Sequence, residues 1–379
     1  MSSRASRSTA AGLSLLLLGA AAARAEATIW PGANWQTATP AQRGMDATIL
    51  AQARTYALTG GGAGMVIRSG YVVDSWGDTS ALYELKSTTK SIGGMLLSMA
   101  ISDGRVALDQ TMLQYYPGAG VPPQSNVGTG WLPSITLHQL ATHSSGFDEP
   151  NAFVALIYAP GTTWYYSNCA VDWLADVLTI QFGQDLLQVL QTRVLTPIGV
   201  HSGQFTWRLN SYRPQTLNGI TRREFASGTS ASADAMARLG YLQLHGGTWN
   251  GTVVYPSWYL QSARTGDPTI ASLPNGDPVR YPGATHHYGL LWWNNSDGSI
   301  ANVPTDACFG WGFLDSVILV IPSLDIVAVR VGDAWQNPWT ANYAIIAPFI
   351  QPIARACVTG TGVDTPSSET WARLHSAYR

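Results

Sequence analysis

Ser87 and Lys90 are the residues in this 379-residue chain whose types and spacing first suggest chemistry. Only two of the 21 basic residues are lysine, and both lie in Glu84-Leu85-Lys86-Ser87-Thr88-Thr89-Lys90; the rest are arginine. A guanidinium stays protonated in proteins, whereas a desolvated amine can lose its proton and act as a base. If Ser87 opens a helix, Lys90 lies about one turn on and both side chains reach one cleft. The plainer reading of Ser87 is an N-cap, which favours Glu or Gln three residues later. Here the third residue is a cation at the positive end of the helix dipole, where it is electrostatically disfavoured. The same field depresses the amine's pKa, so the pair reads as nucleophile and base.

A second constellation, Pro160-Gly161-Thr162-Thr163-Trp164-Tyr165-Tyr166-Ser167-Asn168, leads into a predicted helix from Cys169. A tyrosine on such a loop can direct its phenol into a cleft, where a nearby lysine makes it a proton shuttle. Asn168 offers an amide donor and acceptor. The competing reading is a half-buried aromatic at 166 and an N-cap at 168.

The elements that must position these residues are legible in the apolar pattern. Short apolar runs at Ala63 to Arg68 and Tyr71 to Ser75, split by Ser69-Gly70, signal a hairpin. Tyr288 to Trp293, Ser316 to Ile321 and Asp325 to Val331 also read as strands. Between the two groups the period becomes helical: after Ser87 up to a stop at Asp103-Gly104, and again at Val171 to Ile180, Leu186 to Val194 and Ala233 to Leu244. Gly93-Gly94 inside the first of these implies close approach by another segment. Apolar positions at Ile346, Phe349, Ile350 and Ile353 predict a last helix that Pro348 and Pro352 should bend or fray. The expected fold is α+β: one antiparallel sheet flanked by helices (about 26–85 and 285–379), with a mostly helical lobe inserted (about 86–284). The join between such lobes is a preferred place for a pocket.

Composition narrows the function. With 46% hydrophobic and 12% charged residues the chain is no disordered tail, and a net charge of −2 argues against nucleic acid as a partner. Arg4 and Arg7, the apolar run from Ala10 to Ala23 and Ala23-Arg24-Ala25 fit a cleavable signal peptide over residues 1–25. That run is shorter than the roughly 20 residues a spanning helix needs, so a secreted or periplasmic protein without stable membrane insertion is expected. Three cysteines are too few for a disulfide framework: Cys308 with Cys357 is the pair that could oxidise, and three buried thiols are the alternative. No metal or other cofactor is expected.

Taken together, Ser87-Thr88-Thr89-Lys90 and Tyr166-Ser167-Asn168 resemble the Ser-x-x-Lys and Tyr-x-Asn motifs of class C β-lactamases, DD-peptidases and related esterases. Ile101 to Asp109 and the His143-Ser144-Ser145-Gly146 region are similar to the family's connecting segments. The resemblance implies an acylated nucleophile at Ser87 and proton work shared by Lys90 and Tyr166. It implies that Asn168 orients Lys90 or the substrate amide, and that His143 is structural. The third family motif, usually Lys-Thr-Gly or His-x-Gly, is matched by Phe309-Gly310-Trp311-Gly312-Phe313, where Gly310 stands in the cation's place. That pattern is most similar to 6-aminohexanoate-oligomer hydrolases and some esterases. By the same match the backbone N–H of Phe313, just after Gly312, pairs with that of Ser87 as an oxyanion hole. Arg222, Arg223 and Ser227 match a region bordering the pocket.

The reading is a serine hydrolase of small esters or linear amides, acting through an acyl-enzyme without a cofactor. Trp164, Trp292, Trp293 and Trp311, close to the motifs, would favour an apolar or aromatic acyl group. A β-lactamase or DD-peptidase is the alternative within enzymes, and the missing cation at Gly310 argues against it. A non-catalytic binder using tryptophan platforms is the alternative of another class. It has no use for a deprotonatable lysine beside a serine.

Overall fold

The computed structural model describes residues 28–357, so the signal-peptide expectation for residues 1–25 lies outside the described residues. Seven strands form the main sheet: β1 Gln36–Thr37, β2 Ala63–Arg68, β3 Tyr71–Trp76, β4 Trp293–Asn294, β5 Cys308–Trp311, β6 Val317–Ile321 and β7 Ile326–Val331. Their order is β1-β3-β2-β7-β6-β5-β4. All neighbours are antiparallel except the two-residue β1, which joins β3 in parallel. Strands from the two ends of the sequence meet at the β2–β7 pair, where Val66 lies opposite Ala328. Ser69, in the left-handed region at φ 49°, and Gly70, at φ 80°, turn the hairpin between β2 and β3.

Five longer helices flank the sheet: α1 Ala47–Ala57, α2 Thr88–Ser102, α3 Asn168–Phe182, α4 Ala233–Leu244 and α5 Tyr343–Ala356. β6 and β7 are apolar throughout because each face of the pleat meets its own core. Ile318, Val320, Val327 and Val329 pack on the side of α2, α3 and α4. Val317, Leu319, Ile321, Ile326 and Ala328 pack on the side of α1 and α5.

Two expectations need correction, and the buried-thiol alternative holds for the cysteines. Tyr288 to Trp293 is not a strand: Tyr288 only bridges back to Trp293, and β4 is Trp293–Asn294. Leu291 breaks extended geometry there with a φ of 64°. α5 runs unbroken through Pro348 and Pro352. Pro348 and Ala344, whose carbonyl loses its partner, are both exposed, so the missing bond falls on the solvent side of the helix while Ile346, Phe349, Ile350 and Ile353 anchor the buried face. All three cysteines are free and buried, and Cys357 Sγ instead accepts from Arg68 Nη1 at 2.9 Å.

The paired glycines of α2 do mark close approach. A Cβ at Gly93 would sit 2.3 Å from the Phe225 ring, and one at Gly94 would sit 1.8 Å from Tyr259 Oη. Tyr259 is fully buried and accepts from Trp292 Nε1 at 3.1 Å, so it cannot swing aside. We expect Gly94→Ala to destabilise the protein by about 1–3 kcal/mol despite its better helix propensity. Chemical denaturation checks this, and a variant as stable as wild type would show the contact to be soft.

Candidate active site

α2 begins immediately after a strained corner. Lys86 holds a left-handed φ of 49°, which costs a β-carbon residue of order 1–3 kcal/mol, and its ammonium grips Glu84 at 2.5 Å. Ser87 occupies the N-cap position, yet its side chain makes no capping bond. Its Oγ instead accepts from Lys90 Nζ at 3.0 Å. The ordinary-cap reading of Ser87 thus gives way to a serine–lysine contact across one helical turn.

Lys90 is 1% exposed. Its three N–H directions go to Ser87 Oγ, to Asn168 Oδ1 at 2.7 Å and to the Ala226 carbonyl at 2.7 Å. Burial pulls its pKa down to about 7, while Asp172, Glu149 and Glu224 oppose that pull and Arg280 adds to it. The amine is therefore divided between its two protonation states near neutrality.

Tyr166 lies over Lys90, with Nζ 4.8 Å from the ring centroid. Its ring stacks on Tyr281, centroids 4.7 Å apart, and leans on His143 at 4.2 Å. Burial raises the phenol's pKa, and its hydrogen bond with Ser87 only partly offsets this, so Tyr166 stays an O–H donor at neutral pH. His143 is held neutral by burial: Nδ1 accepts the Ser167 N–H at 3.1 Å and the Nε2–H faces Tyr288 Oη at 3.1 Å. That makes it a support for the Tyr166 loop. The N-cap of α3 is Ser167, whose Oγ accepts from the Ala170 N–H. This leaves the Asn168 amide free for Lys90, so the cap reading of Asn168 is not the one realised.

β5 passes close beside Ser87. A Cβ at Gly312 would fall 2.3 Å from the Leu85 carbonyl oxygen and 2.9 Å from the Ser87 backbone nitrogen, so only glycine lets the strand run this near. Thr88 Oγ1 ties the two segments together, donating to the Ser316 carbonyl at 2.9 Å. At Gly310 a Cβ would press on Ser91 Oγ at 2.9 Å and Thr88 Cγ2 at 3.2 Å. Packing against α2 is thus close enough at this position that a β-carbon would have to push Ser91 and Thr88 aside.

Ser87, Tyr166, Asn168, Ser227 and Phe313 line one open cavity of about 390 Å³, with Glu149, Arg280, Tyr281 and Trp339 on its walls. Arg280 Nη1 donates to both carboxylate oxygens of Glu149, at 2.7 and 2.8 Å. Sequence reasoning missed this pair because its members are 131 residues apart and no local pattern marks Arg280. Arg222 and Arg223 do not border the cavity: they pair with Asp176 at 2.7 Å and Asp185 at 2.5 Å. Trp164, Trp292, Trp293 and Trp311 are core residues, at most 3% exposed, and among the described residues Trp339 is the tryptophan that lines the cavity.

Comparison with known proteins points the same way. A family model described as Beta-lactamase matches residues 20–345. The Escherichia coli (strain K12) protein named "Putative D-alanyl-D-alanine carboxypeptidase" is 26% identical over 320 residues, covering 69% of this chain and 72% of that one. Esterase EstB of Burkholderia gladioli is 27% identical over 155 residues, 33% of this chain and 38% of that one. Among solved structures, the "Putative 6-aminohexanoate-dimer hydrolase from Bacillus anthracis" superposes with a TM-score of 0.61 at 16% identity, covering 79% of this chain and 81% of that one. That similarity establishes a shared fold.

Proposed function

The chain belongs to the Beta-lactamase family, and from that premise we propose that it is a serine hydrolase cleaving small esters or linear amides through an acyl-enzyme on Ser87. The observation that carries the reading is the buried Lys90 amine 3.0 Å from Ser87 Oγ, with a pKa lowered to about 7. Neutral Lys90 takes the Ser87 proton as Oγ attacks the acyl carbon. The backbone N–H groups of Ser87 and Phe313 hold the resulting oxyanion. When the intermediate collapses, the leaving alcohol or amine takes the Tyr166 proton, which the Lys90 ammonium replaces. Water then attacks the acyl-enzyme by the same steps in reverse.

A β-lactam or D-Ala-D-Ala substrate is the less supported choice. Gly310 supplies no cation for a substrate carboxylate, and packing against Ser91 and Thr88 restricts any larger residue there. We expect p-nitrophenyl acyl esters to be turned over at least about 10²-fold more efficiently than a chromogenic cephalosporin. The reverse ranking in kcat/KM would transfer the assignment to the β-lactamase reading. An exported location is proposed alongside, on the residue 1–25 pattern alone.

The base assignment also fixes a pH profile. Below about pH 7 Lys90 is protonated and cannot accept a proton, so kcat/KM rises with pH through that region. No second limb from Tyr166 follows at mildly alkaline pH, because burial keeps the phenol protonated there. Ester hydrolysis measured from about pH 5 to 9 tests this. A flat profile would remove Lys90 as the base.

A further inference from the structure

Among the described residues, Asp172 is the buried carboxylate with an oxygen, Oδ2, that meets no hydrogen-bond partner. It lies one turn past Asn168 on α3 and is 1% exposed. Its other oxygen accepts the backbone N–H groups of Phe225 at 3.0 Å and Ala226 at 3.2 Å. The Ala226 carbonyl in turn accepts from Lys90 Nζ. One face of α3 therefore sets both non-serine partners of the amine: Asn168 directly, and Ala226 by way of Asp172.

Resting on the reading of Lys90 as the base, we infer that Asp172 is a positioning residue whose carboxylate holds the Ala226 carbonyl against Lys90 and whose charge moves upward the pH range in which that amine accepts a proton. The arrangement exceeds what a loop anchor needs, since a neutral asparagine accepts the same two N–H bonds without the cost of a buried charge. The neighbouring arginines do not form an ion pair with Asp172 itself: Arg213 and Arg222 are bound to Asp176, at 3.2 and 2.7 Å. The charge of Asp172 is felt by Lys90 through a water-poor interior, where screening is weak.

Other charges act on Lys90 as well. Glu149 and Glu224 favour its ammonium and Arg280 disfavours it. Neutral Tyr166 and His143 flank it from the 143 and 166 loops. Asp172 itself is pushed up to about 7 by burial, opposed by Arg213 and Lys90 and reinforced by Asp176 and Glu224. Asp172 and Lys90 therefore titrate as a coupled pair, with the acid limb of activity belonging to both.

The test is the pH profile of Asp172→Asn against wild type, with Ser87→Ala and Lys90→Ala assayed in parallel. Removing the carboxylate withdraws support for the ammonium, so the acid limb of kcat/KM moves to lower pH, by about one unit. The plateau rate falls only about threefold, because the asparagine still accepts from Phe225 and Ala226. An acid limb that coincides with wild type would overturn the inference while leaving the base assignment standing, provided the Ser87 and Lys90 variants are inactive. Active Ser87 or Lys90 variants would instead undo the reading beneath it. If Asp172→Asn fails to fold, carboxyl ¹³C NMR of aspartate-labelled wild-type protein replaces it. An aspartate carboxyl titrating together with the activity limb supports the pair, and no aspartate titrating in that range overturns it.

Discussion

Ser87→Ala lowers kcat/KM for p-nitrophenyl esters at least about 10³-fold while leaving the fold intact. Ser87 is half-buried at the cavity, and its hydroxyl makes no capping bond whose loss would weaken α2. The expected cost is therefore kinetic, with the melting temperature close to that of wild type. Lys90→Ala should fall into the same range, because Lys90 and Ser87 act as one unit through their 3.0 Å contact. The double variant should be no worse than about tenfold below either single one, since the second change removes a partner already idle. Losses that multiplied would show the two residues working independently. Equal rates for wild type and Ser87→Ala would end the serine-hydrolase reading.

Gly312→Val is the second large effect. Its Cβ position is 2.3 Å from the Leu85 carbonyl oxygen and 2.9 Å from the Ser87 backbone nitrogen. These neighbours are backbone atoms, unable to rotate away, so β5 must retreat from the N-terminus of α2. Retreat pulls the Phe313 amide from the Ser87 amide and weakens the proposed oxyanion hole. We expect kcat to fall about 10²–10³-fold, with a much smaller change in KM. A phosphonate that labels Ser87 and mimics the oxyanion provides the check: slower labelling accompanies the loss in kcat. A Gly312→Val variant with wild-type kcat would exclude the paired-amide arrangement.

Parts of this fold are legible in the sequence. The Ser69-Gly70 hairpin, the helix beginning at Ser87 and the meaning of Gly93-Gly94 all follow from local rules of turn, cap and packing. Other features follow no local rule. Pro348 sits inside α5 because Ala344 and Pro348 happen to face water, and exposure is decided by what the helix packs against. By position in the sequence Trp164, Trp292, Trp293 and Trp311 favour an apolar or aromatic acyl group, yet they fill the core, since composition does not say which side of a wall a ring occupies. Arg222 and Arg223 were drawn into ion pairs with Asp176 and Asp185, on α3 and just beyond it.

The sequence alone determined which residues can carry the chemistry. A serine and a rare lysine three apart share a helix face by covalent geometry, and Tyr166 and Asn168 lie on the same side of the extended residue Ser167. Tertiary structure decided what those residues become. Burial from every side brings the Lys90 amine near neutrality, and a carbonyl 136 residues away fixes its direction. Glycine at 312 matters only because another strand passes there, and the Glu149–Arg280 wall exists only once distant loops meet. Desolvation and long-range contact belong to the assembled chain, so no window of sequence contains them.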